Sequence, residues 1–332
     1  MAKGKKGKQL RIGIMGFAHV HTPGLVALSK ELGAEVIGAD PDEQQAKAGA
    51  ERFGIPIAAD YDDLLSHDLD GVIITAENVF HRDLCERAAA AGCHVLSEKP
   101  LATTVADGRA MVEACAKAGV FLSVAFPMRY SPPIARVAAT AMAGRLGQVI
   151  AMAGTNPGSC PGGWFADAAL AGGGCMMDHT VHVADLMCWI TGSVPRSVYA
   201  QGNELITPEH GTDTGGLVAV TFEDGTIATI DCSWSRLPTF PTWGGLTLEV
   251  VGTDGSMSVD AFGDRIATYG ANTRFGSFGA DPNRAMVVDF LDAIRDNRPP
   301  FIDGTAGLNA SAIAVAGYRS KATGQPVAAF ED

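Results

Sequence analysis

Apolar residues in the first part of the chain come in short runs separated by longer stretches with helical spacing. The runs at 10–15, 35–39, 71–75, 94–97 and 121–125 predict strands. Between them, 25–32, 44–53, 81–91 and 105–118 place apolar positions three and four apart and predict helices. Strands that alternate with helices imply right-handed crossovers and a doubly wound parallel sheet covered on both faces. The second part changes period. LVAVTFEDGTIATIDCSWS, residues 217–235, is two alternating runs around Asp224-Gly225, a strong hairpin signal. One face collects Val218, Val220 and Phe222, then Ala228, Ile230, Cys232 and Trp234. Leu246, Leu248 and Val250 alternate in the same way with Thr247 and Glu249. A large open, mostly antiparallel sheet is predicted, with one long helix before it, 174–190, and two after it, 283–296 and 305–322. Prolines in PMRYSPP, residues 127–133, interrupt both patterns and mark the boundary. The expected organisation is α/β: a tail at 1–9, a dinucleotide-binding domain at 10–128, and a substrate-binding and oligomerisation α+β domain at 129–332.

Composition narrows the partners. The chain has 332 residues, 47% hydrophobic and 19% charged, enough for a sizeable core. A formal net charge of −12 argues against nucleic acid or an anionic membrane as partner. The basic cluster MAKGKKGK has no apolar segment after it, so it reads as a solvated, disordered tail and not as a secretory signal. No apolar stretch approaches the ~20 residues of a membrane span. The seven cysteines are odd in number and never spaced C-x-x-C, which fits reduced thiols in a cytoplasmic protein.

Three motifs carry chemistry. In RIGIMGFAHVHTPG, residues 11–24, a strand runs into Gly16 and then towards a helix. Backbone N–H groups and the helix dipole at such a turn can hold a pyrophosphate, as in a Rossmann-type fold. Asp40 ends the second strand about 20 residues on, where a carboxylate can bind both ribose hydroxyls. With no Arg nearby for a 2′-phosphate, NAD is favoured over NADP. Asp40 also reads as a helix cap before Pro41. In HVLSEKPLA, residues 94–102, Glu98 and Lys99 end a strand, where α/β sheets bind ligands. Lys99 can donate to a substrate oxygen or relay a proton; an ordinary exposed pair is the alternative. In GGGCMMDHTVHVADLMCW, residues 172–189, Asp178 and His182 lie four apart on one helix face, with Asp185 near it. A carboxylate beside an imidazole suits proton transfer near neutral pH. His179, one turn from His182, makes a metal pair conceivable, yet further ligands and an H-E-x-x-H pattern are missing, so no metal is expected. His179 reads equally as a structural, capping histidine.

These motifs together resemble the Gfo/Idh/MocA family of NAD(P)-dependent sugar and cyclitol oxidoreductases. DGVIITAENVFHRDL is similar to the family's strand–T-P-N–H segment, with Thr75, Asn78 and His81 in matching places and Glu77 where proline is usual. SEKPLA matches E-K-P, PMRYSPP resembles R-F-x-P, and GRLGQV resembles I-G-E-I-G. The helix of Asp178 matches G-G-G-x-x-x-D-x-x-x-H-x-x-D, and 295–327 resembles the closing helix. The resemblance covers about residues 10–328. It implies catalytic roles for Lys99, Asp178 and His182. It implies cofactor contacts from Gly16, Phe17, Ala18, His19, Val20, Asp40, Thr75, Asn78, His81, Glu98 and Lys99. It suggests substrate contacts from Arg129, Trp164, His179 and His21. The implied reaction moves a hydride between NAD and a hydroxyl or keto carbon of a sugar, inositol or other polyol. The implied assembly is a homodimer or homotetramer through the open sheet.

The departure lies in the glycine turn. The family's second and third small residues are here Ala18 and His21. Thr22 as cap with Pro23 at the first helical position would start the helix later and leave His19 and His21 in a longer loop facing ligand. A packed, backbone-bonded histidine pair is the alternative. Trp164 reads as a sugar-stacking aromatic or as a core aromatic under a loop. Two rival functions remain at this point: a non-catalytic NAD-binding sensor or scaffold, and a metal-dependent lyase or hydrolase built on His19, His21, His179 and His182.

Overall fold

The computed structural model describes residues 9–270 and 273–331; residues 1–8 of the expected tail lie outside the described residues. The strands are β1 (Arg11–Met15), β2 (Glu35–Ala39), β3 (Gly71–Ile74), β4 (His94–Ser97), β5 (Leu122–Val124), β6 (Val149–Thr155), β7 (Pro195–Asn203), β8 (Gly215–Phe222), β9 (Ile227–Asp231), β10 (Thr247–Gly252), β11 (Ser256–Asp260), β12 (Arg265–Thr268), β13 (Arg274–Ser277) and β14 (Val327–Ala328). The helices are α1 (Thr22–Glu31), α2 (Glu43–Phe53), α3 (Tyr61–Leu65), α4 (His81–Ala90), α5 (Val105–Ala118), α6 (Pro132–Met142), α7 (Ala168–Ala171), α8 (Cys175–Thr191), α9 (Pro282–Asp296) and α10 (Gly304–Thr323).

The chain divides into two compact units. The first holds the chain up to Glu98, Arg109–Ala125 and Asn283–Gly304; the second holds Lys99–Gly108, Phe126–Pro282 and the chain from Thr305. A single cut near residue 128 is the simplest reading of the prolines, but the chain passes between the units several times. One reason is packing: α9 lends Phe290 and Ile294 to the first unit, where both side chains press on Gly71 of β3.

In the first unit β2-β1-β3-β4-β5 form one parallel sheet. β3 is buried throughout and β4 at all but its first residue, as expected for a parallel sheet covered on both faces. The strand order reverses between β1 and β3, and ligands bind such sheets at the carboxyl ends beside that switch. Gly16, Thr75 and Glu98 all follow those ends.

In the second unit seven strands run in the order β11-β10-β6-β9-β8-β7-β14. Pairing is antiparallel except where β6 meets β9, so the sheet is mixed. The Asp224-Gly225 hairpin forms, and all seven residues of its predicted inner face are buried. Helix α8 covers this face; Val183 of α8 comes so close to Gly154 of β6 that a Cβ there would sit 2.4 Å from its Cγ1. The opposite face stays open and carries Tyr199, Leu217, Thr229, Thr247 and Glu249. The alternating pattern shows which hairpin face is buried, but β6 and β7 carry weaker alternation. The prolines read as a break instead start α6, where proline at the first helical positions is favourable. All seven cysteines are free thiols, six of them buried.

Helix α8 begins on a cap built from elsewhere in the sequence. Its own first residues offer none: Gly174 stands at the cap position, and a Cβ there would meet Asp213 O at 2.1 Å. Asp213 supplies the acceptor instead. Its carboxylate accepts from Gly174 N–H at 3.1 Å, Met176 N–H at 2.8 Å, Cys175 Sγ at 3.3 Å and the Tyr318 hydroxyl at 2.7 Å. Tyr318 Oη in turn accepts from Gly174 N–H at 2.8 Å and Met177 N–H at 3.2 Å. An anion at a helix start also meets the positive end of the dipole. Replacing Asp213 by Ala leaves buried donors unmatched, and each such group costs about 1–3 kcal/mol. Asp213→Ala should therefore lower unfolding stability by at least that amount in a thermal or denaturant melt. An unchanged melting curve would refute this account of the cap.

Candidate active site

The first unit holds the glycine turn after β1. Gly16 has φ +88°, and a Cβ there would lie 2.7 Å from Ala76 Cα, so only glycine fits. Its N–H donates to Ala39 O at 2.9 Å. Phe17 turns its ring inward onto Gly38 and Gly49 and packs on Phe53. Only its backbone N–H faces Asp40, donating to Oδ2 at 2.8 Å. Asp40 Oδ1 accepts Asp42 N–H at 2.9 Å. The helix-capping alternative for Asp40 falls to Asp42, whose side chain accepts from Gln44 and Gln45 N–H at the start of α2. Burial raises the Asp40 carboxyl above its ordinary value, and the Asp42 and Phe17 N–H groups oppose that rise.

The helix start differs from expectation. Thr22 is the first residue of α1 and caps nothing; its hydroxyl donates back to His19 O at 2.7 Å. His21 holds the cap position without a side-chain cap bond, and Pro23 sits in the first turn. His19 is buried, with its N–H on Thr75 O at 3.0 Å, so it is not in a long exposed loop. Val20 is exposed. Thr75 is fully buried, its hydroxyl donating to Gly16 O. Asn78 is buried, and His81, also buried, bonds Ala76 O through Nε2 at 3.2 Å beneath the turn. Glu98 is buried at the end of β4, with His21 Nδ1 at 3.1 Å and His19 Nε2 at 3.7 Å from its two oxygens.

These features fit a dinucleotide. Gly16 lets the backbone approach, α1 presents its N-terminus without a side-chain cap, and a Cβ at Gly24 in its first turn would meet nothing within 4 Å. Each Asp40 oxygen keeps lone-pair capacity for a ribose hydroxyl.

The second unit gathers the charged groups of the other two motifs. Lys99 Nζ donates to Asp178 Oδ1 in a short ion pair and to Asp178 O at 3.3 Å. The other carboxylate oxygen, Oδ2, takes Trp234 Nε1–H at 3.1 Å and has His179 Nε2 at 3.2 Å. Burial alone would raise the Asp178 carboxyl; the Lys99 ammonium, His179 and His182 outweigh it and hold the group well below the usual carboxylate range. His179 is also held below its ordinary value, chiefly by burial.

Helix spacing alone pairs Asp178 with His182. The structure also puts His179 against the carboxylate, beside Lys99 and Trp234, while His182 is near enough to help hold the Asp178 carboxyl low. A Cβ at Gly158 would lie 2.2 Å from His179 Cε1, so the loop after β6 closes over that ring. His182 is half-buried and stands edge-on to Phe126. Arg129, expected near substrate, puts its fork on Asp185 of α8 at 2.8 and 2.6 Å and its face over Trp189. A planar guanidinium matched to one carboxylate in this way braces the helix. Trp164 is partly exposed and stacks on Phe165. Trp234, Asp213 and Tyr318 are missing from the sequence-derived site. For Trp234 a signal existed: a buried indole N–H demands an acceptor.

The Lys99–Asp178 pair makes a clear energetic prediction. Removing one partner of a buried ion pair costs about 3–5 kcal/mol, because the other charge is left unmatched. Lys99→Met should lose that much stability, and Lys99→Met/Asp178→Asn should recover much of it. A depressed carboxyl contributes stability above its unfolded value of about 3.9 and loses it as pH falls from there. The Lys99→Met deficit should therefore be full at neutral pH and shrink below about pH 4. A pH-independent deficit in denaturant melts would contradict the pairing.

Comparison with known proteins bears on the whole chain. A model described as an oxidoreductase family with an NAD-binding Rossmann fold matches residues 10–126, and the GFO/IDH/MocA C-terminal domain matches residues 134–258. D-xylose 1-dehydrogenase (NADP(+)) 2 of Haloferax volcanii is 30% identical over 96% of this chain and 99% of its own. scyllo-Inositol 2-dehydrogenase (NAD(+)) of Bacillus subtilis is 25% identical over 96% of both chains. Among solved structures, GenD2 from gentamicin A biosynthesis in complex with NAD has a TM-score of 0.87 at 26% identity, covering 96% of both chains. A chain with this glycine turn, this carboxylate after β2 and this buried lysine–aspartate pair is matched in both its parts, and it belongs to the Gfo/Idh/MocA oxidoreductases, with NAD as the cofactor class of its Rossmann unit.

Proposed function

We propose that this chain is an NAD-dependent dehydrogenase acting on a hydroxyl carbon of a sugar, inositol or related polyol. The observation that carries the reading is the buried Lys99–Asp178 pair, which joins the E-K-P and D-x-x-x-H motifs. The bound nicotinamide supplies the hydride acceptor. Lys99 polarises the substrate oxygen. Asp178 keeps Lys99 in place, since its carboxylate is fixed by Trp234 and His179 on the far side. His182 takes the hydroxyl proton: it is the half-buried imidazole of α8, whereas His179 is buried. A sugar-type substrate is supported by the xylose and inositol dehydrogenases among the relatives. NAD is preferred because Asp40 stands where a 2′-phosphate would meet a carboxylate.

The same reading places the protein in the cytoplasm, in keeping with its free thiols. No helix among the described residues is long and apolar enough to cross a membrane. It also assigns the open face of the seven-stranded sheet to a second copy, as a dimer or tetramer. Exposed Leu217 and Ile227 on that face support this.

The test is absorbance of NADH during incubation with a panel of aldoses, inositols and their keto forms. Turnover with at least one polyol is expected, faster with NAD than with NADP. Lys99→Ala and His182→Ala should each lose at least ~10²-fold in kcat, the lower end for general acid–base groups, with NAD affinity nearly unchanged. No turnover on any member, or full activity in both variants, would defeat the reading. Light scattering at micromolar concentration should report an oligomer; a monomer would remove the sheet face from the account.

A further inference from the structure

The histidine spacing on α8 lacks further metal ligands, but a cluster that has them lies in the other unit. Among the described residues, His19, His21 and Glu98 are the one group of three such side chains close together, with ligand atoms all within 4.8 Å of one another. All three belong to the first unit. His19 and His21 come from the turn between β1 and α1, and Glu98 follows β4. His21 Nδ1 lies 3.1 Å from Glu98 Oε1, and His19 Nε2 lies 3.7 Å from Glu98 Oε2. The two rings meet edge to face, their centroids 4.6 Å apart. Around a zinc ion, nitrogen and oxygen ligands at ~2.0–2.2 Å stand ~3–3.5 Å from one another. The two carboxylate contacts are thus near the required separation, and the widest one in the cluster must close by no more than about 1.5 Å.

Two imidazoles and one carboxylate suit zinc and its first-row neighbours better than calcium or magnesium, which prefer oxygen throughout. Three protein ligands leave a fourth position for water. Binding ionises the carboxyl and takes one bare ring nitrogen from each neutral imidazole. The Glu98 side chain is 1% exposed, so its charge is little screened, while that of His21 is 35% exposed and gives an ion a way in. Two terms oppose binding. The start of α1 carries about half a positive charge, and the full charge of the carboxylate outweighs it. A cation on His19 Nε2 also puts the ring proton on Nδ1, the atom to which His21 N–H donates at 3.2 Å. Giving up that one bond costs on the order of tenfold in affinity, a small part of what three ligands contribute.

We propose that His19, His21 and Glu98 hold one divalent transition-metal ion, zinc for preference, which ties the glycine turn to the end of β4. His21 occupies the third small position of the turn, so the departure from the glycine pattern adds a ligand where the pattern has none. The ion acts as a clasp within the first unit and takes no part in the proton steps assigned to Lys99 and His182. Such a clasp does not depend on the dehydrogenase reading.

Two measurements test it. In the first, zinc chloride is titrated by calorimetry into the untagged full chain after treatment with a chelator. One zinc per chain is expected, with Kd of about 1 μM or tighter. His21→Ala and Glu98→Gln should each weaken binding at least about 100-fold, the upper end for loss of an outer-shell partner. His67→Ala, whose ring lies beside Asp63 and outside the cluster, should bind zinc as the wild type does. The second measurement needs no variant. X-ray absorption at the zinc edge of the loaded wild type should show imidazole nitrogen and carboxylate oxygen at ~2.0–2.2 Å. Sulfur at about 2.3 Å would move the ion to the cysteines and overturn the proposal. So would the absence of stoichiometric zinc, or undiminished binding by folded His21→Ala and Glu98→Gln. Neither measurement uses cofactor or substrate, so failure here leaves the dehydrogenase reading intact, and absence of turnover leaves the metal site intact.

Discussion

A carboxylate that is almost wholly buried must find its counter-charge and its hydrogen bonds inside the protein. Asp178 is in that position, and much of the second unit is arranged around it. Lys99 brings the charge, Trp234 brings an indole N–H from the end of the hairpin, and His179 lies against the same oxygen as Trp234. Each comes from a different element, so the pair is a meeting point and cannot be moved without disturbing the sheet. The helix that carries Asp178 is fixed at its start by Asp213 and Tyr318 and braced further along by Arg129 on Asp185. The Lys99–Asp178 pair is thereby held rigid, and proton and charge transfer depend on atoms held in reach.

The first unit solves a different problem with related means. Its sheet needs few polar groups inside, and the site residues among them gather at the carboxyl ends of β1, β2, β3 and β4. Asp40 is fixed by two backbone N–H groups, and Glu98 faces two imidazoles. Consecutive residues, Glu98 and Lys99, thus serve two separate networks, one in each unit. That division gives the E-K-P motif a physical meaning: its glutamate belongs to the histidine network of the first unit and its lysine to the Asp178 network of the second.

Much of this was legible in the sequence. Periodicity located the five parallel strands, because a strand buried on both faces is a short apolar run, and it located the Asp224-Gly225 hairpin, because alternation there is regular. The resemblance of the E-K-P and D-x-x-x-H motifs implied one site for Lys99 and Asp178, and the ion pair joins them. Spacing could not say where a side chain turns. The Asp178 carboxylate lies against His179 as well as near His182, since the ion pair with Lys99 and the indole of Trp234 hold it there. The cap on α8 was equally hidden: Asp213 and Tyr318 lie 39 and 144 residues from Gly174. Pro132 and Pro133 read as a break and instead begin α6, because proline stops a helix in its interior and favours it at its start.

The central claim is that hydride leaves a substrate carbon for the nicotinamide while the Lys99–Asp178 site handles only protons. It is tested most directly by following the label from a polyol deuterated at the carbon to be oxidised. After turnover with NAD in ordinary water, the NADH is isolated and its nicotinamide ring examined by mass spectrometry and proton resonance. The account predicts that each NADH carries one deuterium at ring carbon 4. NADH free of deuterium, with the label found in water, would contradict it.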